Sequence, residues 1–291
     1  MYVSYTAPHW PLHAPEETIE KYEDKFDLGW DRLRRQRYQR LTKMGLIDEE
    51  WALTERDPEV PAWENAENKA WQARRMAVYA AMVDRMDQGI GQMVEALEET
   101  GQLENTLILF LSDNGGSLES FGWVENRTYA DNRGVEPSAS GEVQTSLYPR
   151  VTREGELERQ PGHIVDLMAT AVDLGNATYP DTVQGSEIRP MQGISLMPAL
   201  QGGDFTREEP LFFEHRGNRA LRDGKWKAVA QGPSAPWELY NMDADQTETN
   251  DLWEKYPERL EEMTQTADAM ARRFHAVPWP YGGEYGAEED E

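Results

Sequence analysis

Asp113 and Asn114 form the pair of residues in this sequence that is best suited to hold a metal ion. They come just after residues 106–111, a run that is apolar on both faces, as a central strand of a helix-covered sheet should be. Open α/β sheets bind ligands where such strands end. A carboxylate beside a carboxamide offers the hard oxygen ligands that Ca²⁺ and Mg²⁺ prefer, whereas an Asp-His pair would suit zinc. The sequence Asp-Asn-Gly-Gly is also typical of an Asx turn, so the residues alone leave both interpretations open.

His9 is the second candidate for chemistry, because prolines at positions 8 and 11 restrict the backbone around it. A histidine held in this way can donate a hydrogen bond to a leaving oxygen or to an anionic group. Taken alone, it is more simply an ordinary loop histidine. His13 is predicted to pack or to support His9 rather than to bind metal, since an extended proline-rich backbone does not bring the two rings together. His163 is predicted to cap a helix or face solvent, and His215 has no assigned role.

The predicted helices and strands that must position these residues occur in an order that is typical of an α/β fold. Residues 2–5 read as a β-prone run before the His9 loop, and residues 16–46 as a polar helix. Residues 71–100 carry apolar side chains at three- and four-residue spacing, which predicts a helix that ends at Gly101. A second helix is predicted to start at Pro161.

After residue 210 the residue pattern becomes typical of β-hairpins. Strands are predicted at residues 211–214, 219–222, 226–230 and 237–240, with a turn signal at Asp223-Gly224. A helix is predicted at about residues 256–275. We place a boundary near residues 202–203, so that residues 203–281 form a small α+β subdomain. The acidic tail at residues 282–291 is predicted to be disordered.

The composition excludes several classes of partner. The net charge of −25 disfavours nucleic acid and anionic membranes, which need clustered Lys and Arg. No apolar run approaches the length of about 20 residues that a membrane span needs. The absence of Cys removes disulfides and thiolate chemistry. The same negative charge would repel an anionic substrate, so any site for one requires a cation that reverses the sign locally.

Seven segments of the chain, taken in order, resemble the sulfatase family within the alkaline-phosphatase superfamily. They are residues 6–12, 79–84, 111–116, 160–168, 193–196, 219–227, and 237–240 with 250–252. The resemblance implies a fold that is part of an alkaline-phosphatase-like α/β sandwich, formed by residues 1–202. It also implies that Asp113 and Asn114 are ligands of one Ca²⁺ ion and that His9 contacts the sulfate ester. The implied substrate is a small-molecule or glycan sulfate ester, and the implied location is periplasmic or extracellular, with any export signal upstream of Met1.

The sequence departs from the family pattern in two ways. Sulfatases use a formylglycine made from Cys or Ser in a Cys/Ser-x-Pro-x-Arg motif, and this chain has no Cys and no Ser in such a motif. The family's upstream Asp ligands and Lys-x-His element also lack counterparts. In addition, no Lys occurs between Asn114 and Ala220, where the family has one, so residues 117–158 look shortened or altered.

These departures predict that the chain is the C-terminal part of a sulfuric ester hydrolase and is inactive alone, because positioning cannot replace a nucleophile. Two alternatives stay open at this stage. One is a phosphoester or phosphonate hydrolase of the same superfamily, and the other is a non-catalytic relic.

Overall fold

The structure is a computed structural model that describes residues 1–9, 11–58, 60–112 and 158–278 of the 291-residue chain. The chain divides into two compact units. The described part of the first lies within Met1–Leu41 and Arg56–Gly155, and that of the second within Thr42–Glu55 and Glu156–Glu291. This division differs from the boundary predicted near residues 202–203, which stays a prediction for the intact protein. The predicted tail at 282–291 and nearly all of the segment 117–158 lie outside the described residues.

The first unit is built on one long helix. Its elements are α1 (Glu16–Ile19), most of α2 (Gly29–Lys43) and α3 (Lys69–Glu99), with short 3-10 turns between them. The predicted helix at 71–100 is therefore confirmed. Ile19 of α1 packs against Ala77 and Ala81 of α3, and this contact forms the core of the unit. Gly101 ends α3 in the left-handed conformation, with φ of +67°, as predicted.

Residues 16–46 do not form the single polar helix that we predicted. The helix breaks between Glu20–Tyr22 and α2, where Asp24 and Gly29 both have positive φ. The Trp63 ring lies over Gly29, so closely that a Cβ atom there would come within 2.1 Å of it. Only glycine allows both this φ and this approach, and tertiary packing therefore overrides the polar helical pattern.

Residues 2–5 and 106–111, which we predicted to be strands, form no sheet with the described residues. All strands of the described part of the chain belong to the second unit. A buried strand needs hydrogen bonds from neighbouring strands, and the described residues of the first unit provide none. Residues 106–111 are half-buried, while Tyr2 is exposed.

The second unit begins with α4 (Asp166–Leu174), the strand pair β1 (Thr182–Val183) and β2 (Ser186–Glu187), and α5 (Met197–Leu200). An antiparallel four-stranded sheet follows, in the order β3-β4-β5-β6. Its strands are β3 (Leu211–His215), β4 (Asn218–Asp223), β5 (Trp226–Ala230) and β6 (Glu238–Asn241), and α6 (Pro257–Phe274) comes last. The predicted hairpins and final helix are thus confirmed to within one residue at each end.

Helix α6 covers one face of this sheet. The apolar residues buried between them alternate along the strands and recur at helical spacing: Leu221, Ala228, Leu239, Met263, Ala267 and Met270. Burial of such side chains contributes roughly 1.5–3 kcal/mol each for the larger ones. The antiparallel sheet and helix therefore form the small C-terminal α+β structure that the sequence predicted.

A buried carboxylate organises the start of α4. Asp166 is fully buried and accepts hydrogen bonds from the N–H groups of His163, at 2.7 Å, and Ile194, at 2.9 Å. The guanidinium group of Arg207 pairs with it. These bonds fix the chain before α4, which explains why the helix begins at Asp166 rather than at Pro161. They also tie the loop before α5 to the helix.

We expect Arg207→Met to lower the free energy of unfolding by about 3–5 kcal/mol, because the Asp166 carboxylate would stay buried without its cation. Urea unfolding followed by circular dichroism measures this change. Arg273→Met is the matched control, since its ion pair with Glu209 is exposed, with side-chain exposures of 52% and 67%. We expect it to cost about 0–1 kcal/mol. Similar small losses in both variants would contradict the assigned role of Asp166.

Candidate functional site

His9 lies on an exposed turn near the start of the first unit. Its backbone N–H donates to the carbonyl oxygen of Thr6 at 2.8 Å, and the Ala7–Pro8 peptide bond within the turn is cis. The turn thus holds the backbone of His9 while its side chain is accessible. This agrees with the prediction of a histidine presented by a proline-restricted loop.

Contacts on both sides of the turn attach it to α3. Before the turn, the hydroxyl group of Tyr5 lies against Gly89, where a Cβ atom would come within 2.7 Å of it. After the turn, Leu12 is buried and Ile19 packs on Ala77. The absence of a side chain at Gly89 is what lets Tyr5 approach the helix. The His9 turn is therefore positioned by α3 rather than by its own sequence alone.

His13 does not pack, contrary to one of the two roles predicted for it. Its ring is exposed, and its Nδ1 atom lies 2.9 Å from the carbonyl oxygen of Pro11. A carbonyl oxygen only accepts hydrogen bonds, so Nδ1 must carry the proton. His13 thus has a local bond to its own loop, which makes it a suitable comparison for His9.

Asp113 and Asn114 lie outside the described residues, which end at Ser112 on this side. Their role as ligands of a Ca²⁺ ion therefore stays a prediction. Within the described ranges, no group of three or more His, Asp or Glu side chains is arranged to hold a metal ion.

Asp84 lies in segment 79–84, which resembles the sulfatase family, but its carboxylate has a structural role. It accepts hydrogen bonds from Gln88, Lys21 and Tyr22, the last two at 3.1 Å. The bond from Gln88, followed by that from Lys21, lowers the pKa of the Asp84 carboxyl. Since Lys21 and Tyr22 follow α1, this carboxylate ties that segment to α3. Asp84 thus supports the fold.

His163 and His215 line one groove of about 620 Å³ in the second unit, together with Phe213. The ring centroids of His163 and Phe213 are 5.2 Å apart. The Nδ1 atom of His163 accepts a hydrogen bond from the N–H of Val165, at 3.2 Å, within the turn before α4. No side chain of the described residues caps the start of α4, so the predicted capping role is not confirmed. Burial lowers the pKa of His163, and Asp166 opposes that shift. No local pattern in the sequence predicts that the two histidines share a groove, because β3 brings His215 there from a distant position in the chain.

The chain belongs to the sulfatase family. The family model named Sulfatase matches residues 1–177, a range that includes His9, Asp113 and Asn114. An uncharacterized sulfatase of Schizosaccharomyces pombe is 28% identical, over 91% of this chain and 56% of its own length. An arylsulfatase of Klebsiella aerogenes is 31% identical, over 67% of this chain and 50% of its own. This chain therefore spans about half the length of these relatives.

A solved structure confirms the fold class. The crystal structure of Ps i-CgsB in complex with k-i-k-neocarrahexaose superposes with a TM-score of 0.58 and 22% identity. The match covers 91% of this chain and 48% of that one. The predicted α/β class, with part of an alkaline-phosphatase-like sandwich and an antiparallel C-terminal portion, is thus confirmed. At this identity the likeness supports the fold alone.

None of the helices among the described residues combines the length and the apolar character that a membrane crossing demands.

Substitution of His163 tests how the burial of its ring affects the pH dependence of folding stability. Burial lowers its pKa from the ordinary value of 6.5, so the folded protein favours the neutral ring. As pH falls below about 6.5, the unfolded chain binds the proton first, and the folded state loses stability. We expect His163→Gln to reduce this loss, while above that pH the two proteins differ by a constant amount. Urea unfolding over a pH series measures the difference. The same slope in both proteins would show that His163 does not titrate as proposed.

Proposed function

We propose that this chain carries part of the active site of a sulfatase that hydrolyses sulfate esters. Asp113 and Asn114 are two of the ligands of one Ca²⁺ ion, and His9 contacts the sulfate ester. The observation that carries the proposal is the family match over residues 1–177, which contains all three residues in the family's order. The exposed, backbone-fixed position of His9 supports its part in the proposal.

The oxygen atoms of Asp113 and Asn114 fit a calcium ion by their chemistry, because Ca²⁺ prefers carboxylate and amide oxygens. A bound Ca²⁺ would supply the local positive charge that an anionic ester needs beside a protein with a net charge of −25. The remaining ligands do not come from the motifs of this sequence that match the family.

His9 would act on the ester through its imidazole N–H, which can donate to a sulfate oxygen or to the leaving oxygen. The formylglycine expected in the intact family has no residue here that could give rise to it, since the Cys/Ser-x-Pro-x-Arg motif is absent. We therefore expect this chain to bind and orient the ester but not to hydrolyse it.

The substrate proposed is a small-molecule or glycan sulfate ester. The name of the Klebsiella aerogenes relative, an arylsulfatase, favours aryl sulfates as first probes. A periplasmic or extracellular location remains a prediction from the family resemblance.

Calcium binding tests the metal assignment. We expect the chain to bind Ca²⁺ weakly, with a dissociation constant of about 1 mM, because it supplies only part of the coordination sphere. Asp113→Ala should weaken binding by about tenfold or more, whereas Asp181→Ala, at an exposed loop carboxylate of the second unit, should not change it. Calorimetric titration with Ca²⁺ and with Zn²⁺ provides the measurement.

Two other outcomes of that titration would contradict the assignment of a calcium site. Preference for Zn²⁺ over Ca²⁺ would favour the phosphoester or phosphonate hydrolase alternative. Equal Ca²⁺ affinity in the wild type and Asp113→Ala would remove the metal assignment and favour a non-catalytic protein.

The ester-binding role of His9 is tested with 4-nitrophenyl sulfate in the presence of Ca²⁺. We expect the imidazole NMR signals of His9 to shift in a saturable way, while those of His13 stay in place, because His13 lies outside the segment 6–12 that resembles the family. We also expect no release of nitrophenolate, because the nucleophile is missing. Shifts at His13 but not at His9 would reject the assignment, and turnover by this polypeptide alone would show that another residue is the nucleophile.

A further inference from the structure

The second unit contains a groove that the proposed sulfatase function does not use. It has a volume of about 560 Å³, within the range of roughly 300–1,000 Å³ that is typical of small-molecule sites. The residues that define it are two tryptophans, one leucine and three carboxylates: Trp237, Trp253, Leu260, Glu238, Asp251 and Glu261. No Lys or Arg is among the described residues that line it.

We propose that this groove binds a small organic cation of the alkylammonium class, with Trp253 as the aromatic surface and Glu238, Asp251 and Glu261 as the counter-charges. The proposal does not depend on the sulfatase function, since it rests on a different surface and on the opposite ligand charge.

Three segments build the groove, and each has a fixed position. The face of α6 contributes residues 257, 260, 261 and 264, which are spaced so that they lie on one side of a helix. Strand β6 contributes Glu238 at its first position. The segment between β6 and α6 contributes Asp251 and Trp253.

Hydrogen bonds hold the segment that carries Trp253. The Oδ1 atom of Asp251 accepts from the N–H of Leu239 at 2.9 Å and from the N–H of Trp253 at 3.1 Å. The N–H of Leu252 donates to the carbonyl oxygen of Leu239 at 2.8 Å. Leu239 is fully buried, so these bonds anchor the segment to the core of the sheet. The groove is therefore formed before a ligand arrives.

Trp253 is the accessible aromatic surface, and 47% of the residue is exposed. The Trp237 ring already has a cation near it, since the Cζ atom of Arg219 lies 4.8 Å from the ring centroid. Lys255, the cation two residues after Trp253 in the chain, lies over a different ring. Its Nζ atom is 5.3 Å from the ring centroid of Tyr256. A quaternary or alkylated ammonium group is attracted to the face of a Trp ring and to nearby carboxylates at once.

The three carboxylates that line the groove, with no Lys or Arg among its described lining residues, make the local potential negative. The pKa of the buried Tyr240 phenol is raised by burial and by the carboxylates of Glu238, Asp251 and Glu248. The hydroxyl group of Tyr240 donates to Glu238 at 2.8 Å. Such a potential favours a cationic guest and repels a sulfate ester, so the groove does not serve the proposed sulfatase substrate.

The test uses tetramethylammonium chloride as the probe, with neopentyl alcohol as a neutral molecule of the same shape and sodium chloride at the same ionic strength. We expect the indole N–H NMR signals of Trp237 and Trp253 to shift and saturate in the low-millimolar range with tetramethylammonium only. Trp253→Ala should weaken binding about tenfold or more, because the cation loses its aromatic surface. Phe213→Ala, at an exposed aromatic residue of the other groove, should bind like the wild type.

Glu261→Gln and Glu258→Gln form a matched pair, since both remove one charge from α6 but only Glu261 lines the groove. We expect the first to weaken binding several-fold and the second to leave it unchanged, with native circular dichroism spectra in both. Equal losses would show that only the overall negative charge attracts the probe. Equal shifts with neopentyl alcohol, or shifts that do not saturate, would also overturn the proposal.

Discussion

Both units depend on one constraint, which is that every buried backbone N–H and C=O group needs a hydrogen-bond partner. In the second unit, each strand of the four-stranded sheet pairs with the strand next to it in sequence. Their connections are short, so the pairing requires little loop-closure entropy. In the first unit the partners lie within helices, above all within α3. The run at residues 106–111 has the composition of a buried strand, yet its hydrogen bonds would have to come from strands that the described residues do not include.

Carboxylates serve the fold at several places in this acidic chain. Asp166 is buried with Arg207, and Asp84 joins Lys21 and Tyr22 to α3. Both lie in segments that resemble sulfatases, and both have structural partners. An acidic residue in such a segment is therefore not a ligand by position alone. The case for Asp113 is different because its neighbour is an amide and the pair follows an apolar run, which together describe a site for a hard cation.

The parts of the fold that could be predicted from the sequence are those whose signal is local. Helix α3 was predicted because its apolar side chains repeat at helical spacing, and β3–β6 because alternating runs are separated by turn residues. The break before α2 could not be predicted, since it depends on Trp63 packing over Gly29, more than thirty residues away. The start of α4 depends in the same way on Arg207. At the candidate site, the residue types predicted His9 and the Asp-Asn pair, but only α3 and its contact with Tyr5 explain how the His9 turn is placed.

Charge separates the two ligand sites that are proposed for this protein. A sulfate ester approaches a chain with a net charge of −25, so its binding requires a divalent cation to reverse the local potential. The groove beside Trp253 already has the potential that its proposed guest needs and requires no metal. Chelation of Ca²⁺ would therefore weaken binding at the first site and leave the second unchanged. Added salt screens charges at both, but it acts more strongly on the exposed carboxylates of the groove than on an ion held by direct coordination.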